Sequence, residues 1–122
     1  MDWEHVYPRL QKLTGRQLSS ISGKADIKLL EISPDHYIVE TSRGIKPRRT
    51  DELRKVVSAM SLNKPVHVDS VLLGSGGSRS HPETVIASLP DVEYLFIANK
   101  KHIVWIGKDS HELGTLKERA LK

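Results

Sequence analysis

Residues 50–106, TDELRKVVSAMSLNKPVHVDSVLLGSGGSRSHPETVIASLPDVEYLFIANKKHIVWI, carry element signals in the order helix, short strand, short helix, glycine-rich turn, capped helix and hairpin. Thr50 or Asp51 is placed to cap a helix over 51–62, in which Leu53, Val56, Val57 and Met60 recur at helical spacing and Pro65 closes the run. Val66 and Val68 flank a short extended piece over 66–68, and Asp69 then caps a brief helix over 69–74 through Val71, Leu72 and Leu73. After GSGGSRS, Ser80 and Glu83 have the spacing of a capping box and Pro82 takes a tolerated first-turn position. Val85, Ile86 and Leu89 supply the stripe of a helix over 81–89 that Pro90 ends. Tyr94, Phe96 and Ala98 alternate on one strand (93–98). Ile103 with Trp105, or Val104 with Ile106, alternate on the next (102–107), which predicts a hairpin around Asn99, Lys100 and Lys101.

On the N-terminal side, Trp3, Val6, Tyr7, Leu10 and Leu13 predict an amphipathic helix, with Asp2 as its cap, Gly15 beyond its end and Pro8 inside it. Residues 16–24 are polar and turn-rich. Ile27, Leu29 and Ile32, then Tyr37, Val39 and Thr41, predict a β-hairpin of 25–33 and 36–42 around Pro34. RGIKPRR (43–49) then reads as a basic turn. On the C-terminal side a second box, Asp109 with Glu112, predicts a final helix over 109–122 carrying Leu113, Leu116, Ala120 and Leu121. The expected architecture is α+β, one domain over 1–122, with a helix and hairpin in 1–46 packed on the core of 50–107 and a C-terminal helix.

A chain of 122 residues is long enough for a core of its own. Its 38% hydrophobic and 28% charged residues suit a globular protein, and no apolar run approaches the roughly 20 residues a membrane span needs. The start, MDWEHVYPRL, has early acids and no apolar segment of a secretory signal, and the absence of cysteine removes disulfides and thiolate metal sites. The expected location is the cytoplasm, or the nucleoid or nucleus for a DNA-bound protein. The net charge of +4 is concentrated: Arg43, Lys46, Arg48, Arg49, Arg54 and Lys55 stand against only Asp51 and Glu52, an excess equal to that of the whole chain. Such a run, and a pI near 9.4, suit a polyanionic partner.

From the helix at 51–62 to the hairpin at 93–107, the order of elements resembles the winged helix-turn-helix superfamily, through topology and without a sequence signature. GSGGSRS is longer than that superfamily's usual tight turn. The pattern of hairpin, basic turn and winged helix is also similar to small accessory domains of restriction and other DNA-processing enzymes. The resemblance implies double-stranded DNA binding, with helix 81–89 as recognition helix presenting Ser78, Arg79, Ser80, His81 and Thr84 near its positively polarised N-terminal end. It also implies a basic wing at Lys100 and Lys101. The basic turn supplies Arg43, Lys46, Arg48 and Arg49 for phosphate contacts.

Each of these features also has a plain structural explanation: a capped core helix, a solvated basic turn, a lysine-bearing hairpin tip. GSGGS could cradle a nucleotide phosphate, but the Walker pattern's GK is missing. The histidines at 5, 36, 67, 81, 102 and 111 form no HExxH, and no metal, cofactor or catalytic constellation is expected. Trp3, Tyr7 and Trp105 fall on apolar phases and read as core aromatics. Two rival functions remain open, a protein–protein assembly domain of a larger complex and a nucleotide-binding protein using the glycine turn.

Overall fold

The computed structural model describes residues 1–73 and 80–120, an α+β arrangement of two antiparallel sheets around a shared set of helices. Helix α1 (Trp3–Gln11) starts where Asp2 accepts the Glu4 N–H, and Pro8 sits inside it. It buries Val6 and Leu10. Gly15, at φ +82°, then turns the chain, and its N–H reaches the Leu29 carbonyl.

The first sheet has the order β1 (Gln17–Leu18), β2 (Ile27–Ile32), β3 (His36–Thr41), β4 (Gly44–Arg49). The β2–β3 hairpin stands where the alternation placed it, with a register shift between Leu29 and Glu31. Ile27, Leu29, Tyr37 and Val39 turn fully buried side chains to the core. RGIKPRR is not a turn. From Gly44 on it is strand β4, paired residue by residue with β3, including Pro47 opposite Ile38. Proline and cations both argue against a central strand, but an edge strand tolerates a missing donor and favours charge. The two-residue β1 was likewise hidden in a segment read as polar turn.

Helix α2 (Thr50–Ala59) follows β4 without a loop. Its cap position falls to Arg49, which makes no side-chain cap bond, while the Thr50 hydroxyl donates to the Ser33 carbonyl at 2.8 Å. Leu53, Val56 and Val57 form the buried stripe. The strand expected at 66–68 reduces to one antiparallel bridge between Val66 and Ile103, and Val68 already opens the single-turn helix α3 (Val68–Val71).

Helix α4 (Ser80–Ala87) leads into the hairpin β5 (Val92–Ile97) and β6 (Lys100–Trp105). Ala98 and Asn99, at φ +52° and +65°, form its two-residue turn, so Ala98 leaves the strand on which alternation placed it. No helix forms in 109–120. Gly114, at φ +88°, is incompatible with a right-handed helix, and this segment instead covers the free edge of β5: the Tyr94 N–H donates to the Lys117 carbonyl and the Arg119 N–H to the Tyr94 carbonyl. Satisfying an otherwise bare strand edge outweighs the local helix signal of Asp109 and Glu112. No helix among the described residues is long and apolar enough to cross a membrane.

Candidate nucleic-acid interface

Alternation along β4 decides where its cations go. Lys46 and Arg48 lie opposite Val39 and Tyr37, on the core-facing side, and Arg49 lies opposite His36, on the outer side. Arg48 runs inward and is consumed there. Its Nε and Nη2 donate to the two carboxylate oxygens of Glu52 at 2.5 and 2.9 Å, and Nε also reaches the Tyr37 hydroxyl at 3.1 Å. The Tyr37 hydroxyl in turn donates to Glu52. Burial, reinforced by the Glu52 charge, holds the Tyr37 phenol far above its ordinary range. Burial works against the Arg48 charge, but the hydrogen bonds and charge of Glu52 outweigh it and raise the guanidinium's pKa. Arg48 is therefore a strut between β4 and α2, and a mutation there disturbs the fold as well as any ligand.

The rest of the basic run divides further. Asp51 holds Lys55 at 3.4 Å and Arg54 at 4.0 Å, and Arg54 lies over the Trp3 ring at 5.4 Å. Arg43, Lys46 and Arg49 are exposed and form no ion pair among the described residues. All three stand on the sheet's edge.

Beside this edge lies an open cleft of about 920 Å³ at the end of the first sheet. Lys24, Arg43 and Lys46 line it, with Asp26, Glu40 and the first two residues of α4, Ser80 and His81. Asp26 is engaged in its own loop, where Oδ1 accepts the Ser20 N–H at 3.0 Å. His81 is only 7% exposed, and its Nδ1 has no hydrogen-bond partner among the described residues. Burial lowers its pKa, the Arg48 and Lys46 charges push the same way, and Glu52 opposes them, so the balance favours the neutral imidazole.

Helix α4 offers little exposed surface for the recognition role expected of it. Every residue from His81 to Ala87 is buried, Thr84 completely, so no face remains to enter a DNA groove. Helix α2 and the second hairpin pack against it. Ser78 and Arg79, and with them the glycine turn, lie outside the described residues. At the wing, Lys100 is exposed beside the turn, but Lys101 reaches back to the buried Glu83 at 3.4 Å. Burial raises the Glu83 pKa against the opposing charge of Lys101. Neither lysine lines the cleft. His102 stacks on His67, ring centroids 5.2 Å apart, and no group of metal-ligating side chains forms among the described residues.

Thus the structure brings Arg43, Lys46, Ser80 and His81 to one cleft, puts Arg49 on the opposite face of the same edge and takes Arg48, Thr84 and Lys101 inward. Lys24 escaped the sequence reading because it stands alone in a polar loop, and only the fold carries it to the basic edge. Compared with protein-family models, curated proteins and solved structures, the chain matches none.

Proposed function

We propose that the protein is a nucleic-acid-binding module that holds double-stranded DNA by its phosphates along the β3–β4 edge, without a helix in the groove. The observation that supports this is the division of charge in residues 43–55. The carboxylates are taken by Arg48, Arg54 and Lys55, which leaves Arg43, Lys46 and Arg49 exposed over six residues of edge strand and its turn. Six strand residues span about 20 Å, along which a duplex carries about a dozen phosphates. An edge lets cations from both faces of a sheet reach one linear polyanion. Contacts of this kind position a duplex and carry little sequence information.

The test is a titration of a random-sequence duplex at two salt concentrations. Affinity falls steeply with salt, with a log–log slope of about −0.9 per phosphate neutralised. A flat response, or no binding at low salt, removes the proposal. A second reading, a protein-assembly surface, draws support from Phe96 and Ile97, which are exposed together at the end of β5. Sedimentation with a Phe96→Ser variant tests it, since self-association lost in that variant would favour assembly.

A further inference from the structure

A duplex lying along the outer edge of β4 shares Arg43 and Lys46 with the cleft beside it but leaves Lys24 and His81 unused. The cleft's cations come from three separate pieces of chain: Lys24 from the loop between β1 and β2, Arg43 from the β3–β4 turn, and Lys46 from β4 itself. They converge on one concavity of about 920 Å³, within the size range of small-molecule sites. At its inner wall stands His81, nearly fully buried, with a ring nitrogen that finds no partner among the described residues. His81 is also the second residue of α4, so the positive end of that helix dipole adds to the three cations. Glu40 and Asp26 give the cleft two carboxylates as well, which repel a bare anion but accept hydrogen bonds from sugar hydroxyls or a base amine.

We infer that this cleft is a binding site for a phosphate monoester of nucleotide size, met either as the terminal phosphate of a nucleic-acid strand or as a free nucleotide. The first of these sources rests on the nucleic-acid reading above. A monoester suits the site better than an internal phosphodiester. It can carry a second negative charge for the convergent cations, which an internal phosphodiester lacks. Lys24, Arg43 and Lys46 surround the phosphate oxygens, with the ring of His81 at the inner wall beside them.

The experiment uses the full chain, with adenosine 5′-monophosphate, adenosine and inorganic phosphate as separate probes, followed by calorimetry and by the imidazole resonances of His81. Two duplexes of one sequence, with 5′-hydroxyl or 5′-phosphate ends, are titrated in parallel. Two variants divide the surface: Lys24→Ala touches the cleft and not β4, and Arg49→Ala touches the edge and not the cleft. Saturable binding of the monophosphate that shifts the His81 resonances, and that weakens about tenfold in Lys24→Ala as expected for loss of one charge-assisted contact, supports the inference. Arg49→Ala leaves that binding unchanged and weakens the hydroxyl-ended duplex. Tighter binding of the 5′-phosphate duplex, abolished by Lys24→Ala, assigns the source as a strand end. Monophosphate binding without duplex binding assigns it as a free nucleotide and sinks the reading of the edge alone. Duplex binding indifferent to the end group, with no His81 response to the monophosphate, overturns the cleft and leaves the edge standing. A response to inorganic phosphate equal to that for the monophosphate overturns the nucleotide-sized ligand.

Discussion

Two hairpins in this protein carry clusters of cations, and they use them differently. On β4, Arg48 is drawn into the core by Glu52 and Tyr37, with a side chain only 10% exposed and two bonds to one carboxylate. On β6, Lys101 makes a single 3.4 Å contact with Glu83 and keeps 35% of its side chain in solvent. In each case a helix supplies a glutamate that takes one cation inward. The remainder differs: Arg43, Lys46 and Arg49 stay exposed on the first hairpin, whereas Lys100 is the cation left at the second turn. One cation is taken inward on each hairpin, so the larger cluster leaves an exposed basic edge and the smaller one an anchored hairpin. What decides is how many cations remain once the neighbouring helix's glutamate has taken one.

The largest effect expected from this contrast is on stability. Glu52→Ala strands the Arg48 charge and the Tyr37 hydroxyl in the interior and should cost about 3–5 kcal/mol in denaturant unfolding. A loss under about 1 kcal/mol would mean that the strut is no more than a surface pair. Next is binding: Lys46→Ala with Arg49→Ala should weaken all duplex sequences alike and lower the salt slope by about one per cation removed. Lys100→Ala should change neither. If Lys100→Ala flattens the slope as much, the distinction between the hairpins fails.

Acidification probes the ground between β4 and α4. The folded-state pKa of His81 lies below the ordinary 6.5, so its contribution to stability is full above pH 6.5 and is lost as pH falls through the lowered value, where the unfolded chain binds the proton more readily. Melting curves from pH 7 downward should show this loss, and His81→Gln should flatten it; an unchanged pH slope in the variant would remove His81 as its source. The smallest effect is expected at Glu83→Gln. Burial already favours the neutral carboxyl there, and the loss should be about 1 kcal/mol or less. A cost matching that of Glu52→Ala would make the two hairpins equivalent after all.

The local signals legible in the chain were those of period and cap. The stripes of α1 and α2, the β2–β3 hairpin and the β5–β6 hairpin follow from residues that alternate or recur at helical spacing, with Asp2 seated as the cap of α1. The misreadings share a cause. RGIKPRR and the segment over 109–120 took their form from neighbours: β3 offered a strand edge that recruited β4 in spite of Pro47, and β5 offered one that recruited the tail in spite of a capping box. For the candidate site, the run of cations was visible, but not which of them is spent internally. That sorting depends on Glu52 and Glu83 arriving from helices, on the alternation of β4, and on the burial of α4 from every side.

By itself, the sequence determined the α+β class, the order of most elements and the concentration of positive charge between Arg43 and Lys55, because periodicity, turn chemistry and charge are local properties of the chain. Only the tertiary structure decided that α4 is interior, that Arg48 is a strut, and that Lys24, Arg43, Lys46 and His81 share one cleft. Strand pairing and burial join residues far apart in sequence, and whether a charge meets a carboxylate or the solvent is settled by what the fold packs against it.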